Sequence, residues 1–278
     1  MDLIIKGFII GIGKILPGIS GSLLAITLGI YEKIIETISN LKKDLIKNII
    51  FLSKISIGII IAIIIFSKII VKCINNYYFP TMLLFIGMII GVIPKIVKQT
   101  KLTKTNIKIS VITIIIILII LKVIKNNLNI INNHVLEYTI EEFIKLMGIG
   151  IIDAITSIIP GISGTAILMS IGYYNIIITS FSNVTQIEKL IPTIFVLIPF
   201  GIGFLIGTIY ISKIISIIFK HNKNILNILS IVFMTITTII LTKKIFETKY
   251  TVIDLIVGII LFIIGITTTI YINKNNKE

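Results

Sequence analysis

Long apolar runs separated by short polar stretches dominate the chain. Eight hydrophobic segments can be marked off, at residues 3–31, 49–71, 79–97, 107–124, 143–174, 189–212, 224–242 and 251–272. A helix needs about 20 mostly apolar residues to cross the hydrocarbon core, and most of these segments reach that length. Residues 109–121 are broken only by Ser110 and Thr113. The pattern predicts an all-α polytopic membrane protein. The first and fifth segments, 29 and 32 residues long, exceed what one span needs, and Pro-Gly interrupts each near its middle. Two half-helices meeting at a break inside the membrane fit that length, either as a re-entrant hairpin or as one long broken span.

The chain also repeats itself. With Pro17 placed over Pro160, an offset of 143, Pro17-Gly18-Ile19-Ser20-Gly21 falls on Pro160-Gly161-Ile162-Ser163-Gly164. Gly7 then falls on Gly150, Ser22 on Thr165, Gly29 on Gly172 and Tyr31 on Tyr174. Internal repeats of this kind are a sequence signature of many transporters. The longest internal polar stretch, 125–139, holds Asn-Asn twice and His134 and lies between the copies. The reading is one integral membrane domain of two repeats, 1–128 and 129–278. Each repeat is a broken or re-entrant helical hairpin followed by three transmembrane helices.

Charge adds an orientation. The chain is 56% hydrophobic with a formal net charge of +14, and all the positive charge is lysine, since arginine is absent. In a soluble protein that balance would suggest nucleic acid. Here the lysines flank apolar segments, which points to anchoring against anionic membrane lipid and to no nucleic-acid partner. If the motif segments re-enter, loops 32–48, 98–106 and 213–223 share one side with both termini and carry most loop lysines. The other side carries Glu137, Glu141, Glu142, Glu188 and Glu247. Basic residues collect on the cytoplasmic side, so the expectation is a multi-pass protein of the cytoplasmic membrane with two inverted repeats and a cytoplasmic N-terminus. The first residues lack a basic region and a small-residue cleavage site, so no removable signal peptide is read. One cysteine, Cys73, excludes an internal disulfide and a cysteine-based metal site. The two histidines, His134 and His221, fall in polar stretches without metal-ligand spacing.

The break carries the candidate chemistry. Proline removes an N–H and clashes with the preceding turn. Irregular backbone at membrane depth is tolerated only when buried in protein or lining a wet cavity. Beyond each break, Gly18, Ser20, Gly21 and Ser22, and correspondingly Gly161, Ser163, Gly164 and Thr165, place N–H groups and hydroxyls at a half-helix N-terminus. That is a favourable place for phosphate or carboxylate. Pro17 and Pro160 complete the two breaks. The competing reading is a kink or close-packing point with no ligand. Lys14 and Asp153 are ionisable residues inside the motif segments and are candidates for function, each needing a partner. Lys14 could face a bound anion, or snorkel to the interface. Asp153 could couple transport to protons or sodium, or pair with Lys14. Asp254, near the start of the last segment, reads as interfacial. No Ser-His-Asp order, nucleotide loop or metal cluster is found, so neither catalytic residues nor a cofactor are expected.

Lys6-Gly7 through Pro17-Gly18-Ile19-Ser20-Gly21 to Gly29-Ile30-Tyr31-Glu32 resembles the first signature of the polyprenyl-phosphate transporter family. Ile159-Pro160-Gly161-Ile162-Ser163-Gly164-Thr165 with Gly172-Tyr173-Tyr174 resembles the second. Between them, Phe85-Ile86-Gly87 through Gly91-Val92-Ile93-Pro94 fits as well. The resemblance implies a flippase that returns undecaprenyl phosphate, or a related polyprenyl phosphate, across the cytoplasmic membrane for reuse as a carrier lipid. The sequence departs from the pattern at Lys14, where the family commonly has Asp or Asn, and at Ser22, where Gly is usual. Asp153 lies outside the signature. Two alternatives remain. A membrane undecaprenyl-diphosphate phosphatase shares paired Ser-rich motifs, but its signatures include an Arg after the motif serine, where this chain has Gly21 and Gly164. A small-anion carrier could use the same pocket.

Overall fold

The computed structural model describes residues 2–17, 19–41, 43–100, 139–159 and 163–275. They form ten α-helices and a short 3₁₀ turn, and no strand occurs among the described residues. Isoleucine is β-branched and a modest helix former in water. In lipid the backbone must satisfy its own hydrogen bonds, and a helix does so within one segment. That requirement outweighs side-chain propensity.

The first half contains α1 (Leu3–Ile15), α2 (Gly21–Thr27), α3 (Tyr31–Ser39), α4 (Leu45–Asn76) and α5 (Tyr78–Lys98). The second contains α6 (Ile140–Ile158), α7 (Gly164–Ser170), α8 (Tyr174–Asn183), the turn Ile187–Lys189, α9 (Leu190–Phe246) and α10 (Val252–Asn275). Four stretches are long and apolar enough to cross a membrane: Leu45–Asn76, Tyr78–Lys98, Ile187–Tyr210 and Val252–Ile272. A fifth is added if α7 and α8, bent by 115°, count as one broken span. The protein is therefore a multi-pass helical membrane protein. Ile57, Ile60, Ile61, Ile65 and Ile69 are exposed along α4. So large an apolar face belongs in lipid. The segment expected at 107–124, the polar stretch 125–139 up to residue 138, and His134 lie outside the described residues.

Three helix pairs pack backbone to backbone: α1 on α4, α6 on α9, and α5 on α10. A Cβ on Gly7 would run into the Ile55 carbonyl, and one on Gly58 into the Ile4 carbonyl. A Cβ on Gly150 would meet the Phe200 carbonyl, and one on Gly203 the Met147 carbonyl. Small residues allow this approach, which supplies the packing that lipid cannot. Gly7 and Gly150, like Ile4 and Met147, are 143 positions apart, so the α1–α4 contact is repeated by α6–α9. The largest buried cluster joins the halves. Phe85 and Ile89 of α5 sit in it with Leu146 of α6, and Phe85 meets Tyr174 edge to face at 6.4 Å.

Three expected loops are corrected. Stretch 32–48 contains α3, and stretch 175–188 contains most of α8. In α3 the polar Glu32, Lys33 and Glu36 are exposed while Tyr31 and Thr37 are buried. The polarity marks one face of an amphipathic helix. Stretch 213–223 lies within the continuous helix α9. It contains neither Pro nor Gly, so nothing in it stops a helix, and polarity alone had suggested a loop.

Candidate functional site

Each motif segment breaks where the prolines require it. α1 ends at Ile15, and Leu16 is extended at φ −85°, ψ 121°. α6 ends at Ile158, and Ile159 is extended at φ −72°, ψ 117°. A residue before proline is pushed out of the helical region in this way. Pro17 is fully buried. Gly18, Pro160 and Gly161, three of the expected site residues, lie outside the described residues.

Both short helices after the breaks begin on a buried serine in extended conformation, Ser20 for α2 and Ser163 for α7. The Ser20 and Ser22 hydroxyls are 2.7 Å apart, and the Ser163 and Thr165 hydroxyls 3.0 Å apart. All four side chains are buried. Ser163 Oγ also accepts the Ala166 N–H at 3.3 Å, and Ser22 Oγ donates across the halves to the Ile159 carbonyl at 3.3 Å. After about two turns each helix ends, and a glycine with positive φ follows two residues on, 66° at Gly29 and 85° at Gly172. The chain then reverses into α3 or α8, as glycine at that position permits.

The turn aims a tyrosine at the opposite half. Tyr31 donates its hydroxyl to the Ile158 carbonyl at 2.9 Å, and Tyr174 donates to the Ile15 carbonyl at 3.1 Å. Donors and acceptors are both 143 positions apart. These carbonyls are the last residues of α6 and α1, where a helix leaves acceptors unpaired. At the first break the Ile19 N–H turns to the Leu16 carbonyl at 3.3 Å, so it is not spent on Ile15. Each half thus satisfies the broken helix of the other.

Between the breaks lies a charged group. Lys14 Nζ is 2.6 Å from Asp153 Oδ2 and also donates to Ser157 Oγ. The same ammonium sits 4.7 Å from the centre of the Phe204 ring, a favourable cation–π distance. The Asp153 side chain is 1% exposed and that of Lys14 20%. Ser157 Oγ donates to the Asp153 backbone carbonyl at 2.5 Å. A Cβ on Gly164 would run into Asp153 Oδ1 and come within 3.0 Å of Ser157 Oγ. The carboxylate therefore lies against the first turn of α7, where the helix dipole favours negative charge. A Cβ on Gly21 would lie 3.8 Å from Lys14 Cβ. The structure thus places Lys14 by Gly21, and Asp153 by Gly164.

Lys14 and Asp153 form a pair, as one of the alternatives for Asp153 has it, and the Lys14 ammonium is held in the protein by that acidic partner. Four contributors escaped the sequence reading: Tyr31 and Tyr174 as cross-half donors, Ser157, and Phe204. The offset could have found one, because Ser157 is the position equivalent to Lys14. Among the described residues no group of three or more His, Cys, Asp or Glu could hold a metal ion.

Comparison with known proteins adds to this geometry. Residues 10–254 match the profile of a family described as undecaprenyl phosphate translocase-like. A polyprenyl-phosphate transporter from Staphylococcus aureus is 27% identical over 223 residues, covering 79% of this chain and 78% of that protein. A polyprenyl-phosphate transporter from Vibrio cholerae is 24% identical over 235 residues, covering 80% and 70%. No solved structure matches.

Proposed function

This chain belongs to the undecaprenyl phosphate translocase-like family, and from that premise we propose how its geometry serves lipid-phosphate transport. The protein is a polyprenyl-phosphate transporter rather than an enzyme. Undecaprenyl phosphate, or a close relative, is the substrate. The phosphate head enters between the two breaks while the polyprenyl tail stays in lipid. Ser20, Ser22, Ser163 and Thr165 supply hydroxyl donors, Gly18, Gly21, Gly161 and Gly164 allow close approach of backbone N–H groups, and Lys14 provides positive charge. Pro17 and Pro160 keep both helices open at that depth. The observation that carries this reading is the pair of buried hydroxyl clusters, one after each break, flanking the Lys14–Asp153 pair. An anion is what such donors stabilise in a low-dielectric site.

The two halves are inverted repeats related by a two-fold axis in the membrane plane, and rocking about the site gives alternating access. The reciprocal tyrosine bonds support the two-fold relation, because such an axis exchanges donor and acceptor in that way, and the lysine distribution favours its lying in the membrane plane. The N-terminus is placed in the cytoplasm, on the side of Lys95 and Lys98 at the end of α5. A proton or sodium gradient would drive movement through Asp153. In a Cys73→Ser background, cysteines placed at Glu36 and Gln186 should react with impermeant reagents from opposite sides of the membrane. Labelling of both from one side refutes the inverted arrangement.

The test of function is reconstitution in liposomes with labelled undecaprenyl phosphate, followed for transbilayer movement and for phosphate release. Movement without hydrolysis is expected. Phosphate release from undecaprenyl diphosphate would replace this reading with a phosphatase. Inactivity toward both lipids would leave a small-anion carrier.

A further inference from the structure

The charged pair between the breaks has a consequence for which head group the site accepts. Lys14 has three N–H donors. Asp153 and Ser157 take two directions, and the Phe204 ring face covers a third. Among the described residues the partners of the two charges are each other, Ser157 and Phe204. The ammonium is already occupied and its charge already balanced. Asp153 also stands against Gly164, at the start of α7, where a phosphate oxygen would be placed.

We infer that Asp153 is a specificity-determining residue, which sets the negative charge the site will take and so separates a phosphate monoester from a diphosphate ester. The inference rests on the phosphate-binding reading above. A site holding one cation and one carboxylate has no net charge. A monoester must share Lys14 with Asp153. A diphosphate brings a further negative charge into the same buried space, and among the described residues the partners of the pair include no further cation to meet it. Unmatched charge is costly where water is excluded, so the penalty falls hardest on the diphosphate. Asp153 thereby rejects the wrong head group by repulsion, without contributing a favourable contact to the right one.

Binding of undecaprenyl phosphate and undecaprenyl diphosphate to the purified full-length protein in mixed micelles tests this, with the ratio of the two Kd values as the readout. The parent should prefer the monophosphate. Asp153→Asn should bind both more tightly, the diphosphate more so, shrinking the preference by about tenfold. Lys14→Gln, which leaves a net negative site, should enlarge the preference. The double variant, neutral like the parent, should return the ratio toward the parental value while weakening both lipids. The opposite directions of the two single variants keep the test meaningful should one of them fold poorly. An unchanged ratio in either folded single variant overturns the inference while the phosphate-binding reading stands. A parent protein that binds neither lipid overturns both.

Discussion

Replacing Tyr31 or Tyr174 by phenylalanine removes one hydroxyl and leaves the ring. In Tyr174→Phe the edge-to-face contact with Phe85 survives, so the change isolates the hydrogen bond to the Ile15 carbonyl. Tyr31→Phe removes the bond to the Ile158 carbonyl. Side-chain hydrogen bonds between membrane helices are worth about 0.6 kcal/mol on average and about 1.7 at most, because the unfolded chain in lipid finds other partners. A buried acceptor left without a donor costs about 1–3 kcal/mol. The carbonyls concerned terminate broken helices, and at Ile15 the N–H of Ile19 is spent on Leu16. The cost should therefore sit near the top of the membrane range, about 1–1.5 kcal/mol for each variant. The two bonds share no atoms, so the double variant should lose about 2–3 kcal/mol, additive to about 0.5. Unfolding in mixed micelles of rising SDS content measures this. The chain has no tryptophan, so far-UV circular dichroism follows the helices. If both single variants fall within about 0.3 kcal/mol of the parent, the bonds do not hold the halves together. If one is costly and the other silent, the two breaks are not equivalent.

Two other perturbations separate strain from function. Gly29→Ala and Gly172→Ala meet no neighbouring atom within 4 Å, so their cost is the left-handed backbone itself, about 1–2 kcal/mol each in the same unfolding assay; equal losses are expected at the two sites. Ser20→Ala combined with Ser163→Ala removes one buried hydroxyl from each break, and a hydrogen bond to a charged group is worth about 1.5–3 kcal/mol. Translocation of undecaprenyl phosphate in liposomes should slow by about tenfold or more, and a normal rate in the folded double variant sinks the pocket assignment.

The membrane class, the two breaks and the equivalence of the two motif segments were legible in the sequence because each has a direct physical cause. Apolar length reports span, proline with glycine reports a break, and a shared offset reports a repeat. The helices α3 and α8 were not legible, because a hydrophobicity scan reads the exposed face of an amphipathic helix as a loop. The continuity of α9 was not legible because Lys220, His221 and Asn222 are polar but do not stop a helix. In the candidate site, Lys14 and Asp153 stood out as charges among apolar residues. Their pairing was legible only as one alternative, since Asp153 aligns with Ile10 rather than with Lys14 and the repeat offset does not bring the two together. Phe204 was invisible for a different reason. It is one apolar residue in an apolar span, and only the packing of α9 against α6 brings it under the ammonium.

The crossed tyrosines have the symmetry of an isologous dimer contact, in which the same patch serves both partners. Here both partners belong to one polypeptide. A half-length chain in lipid would present a helix end whose carbonyl has lost its tyrosine donor and a tyrosine hydroxyl that has lost that carbonyl. The complement to both would be a second copy of the same half. Joining two copies in one chain makes that pairing intramolecular, and only then can the two faces diverge. Lysine on one side and aspartate on the other, at positions that need not match, is a difference that a self-pairing half could not carry.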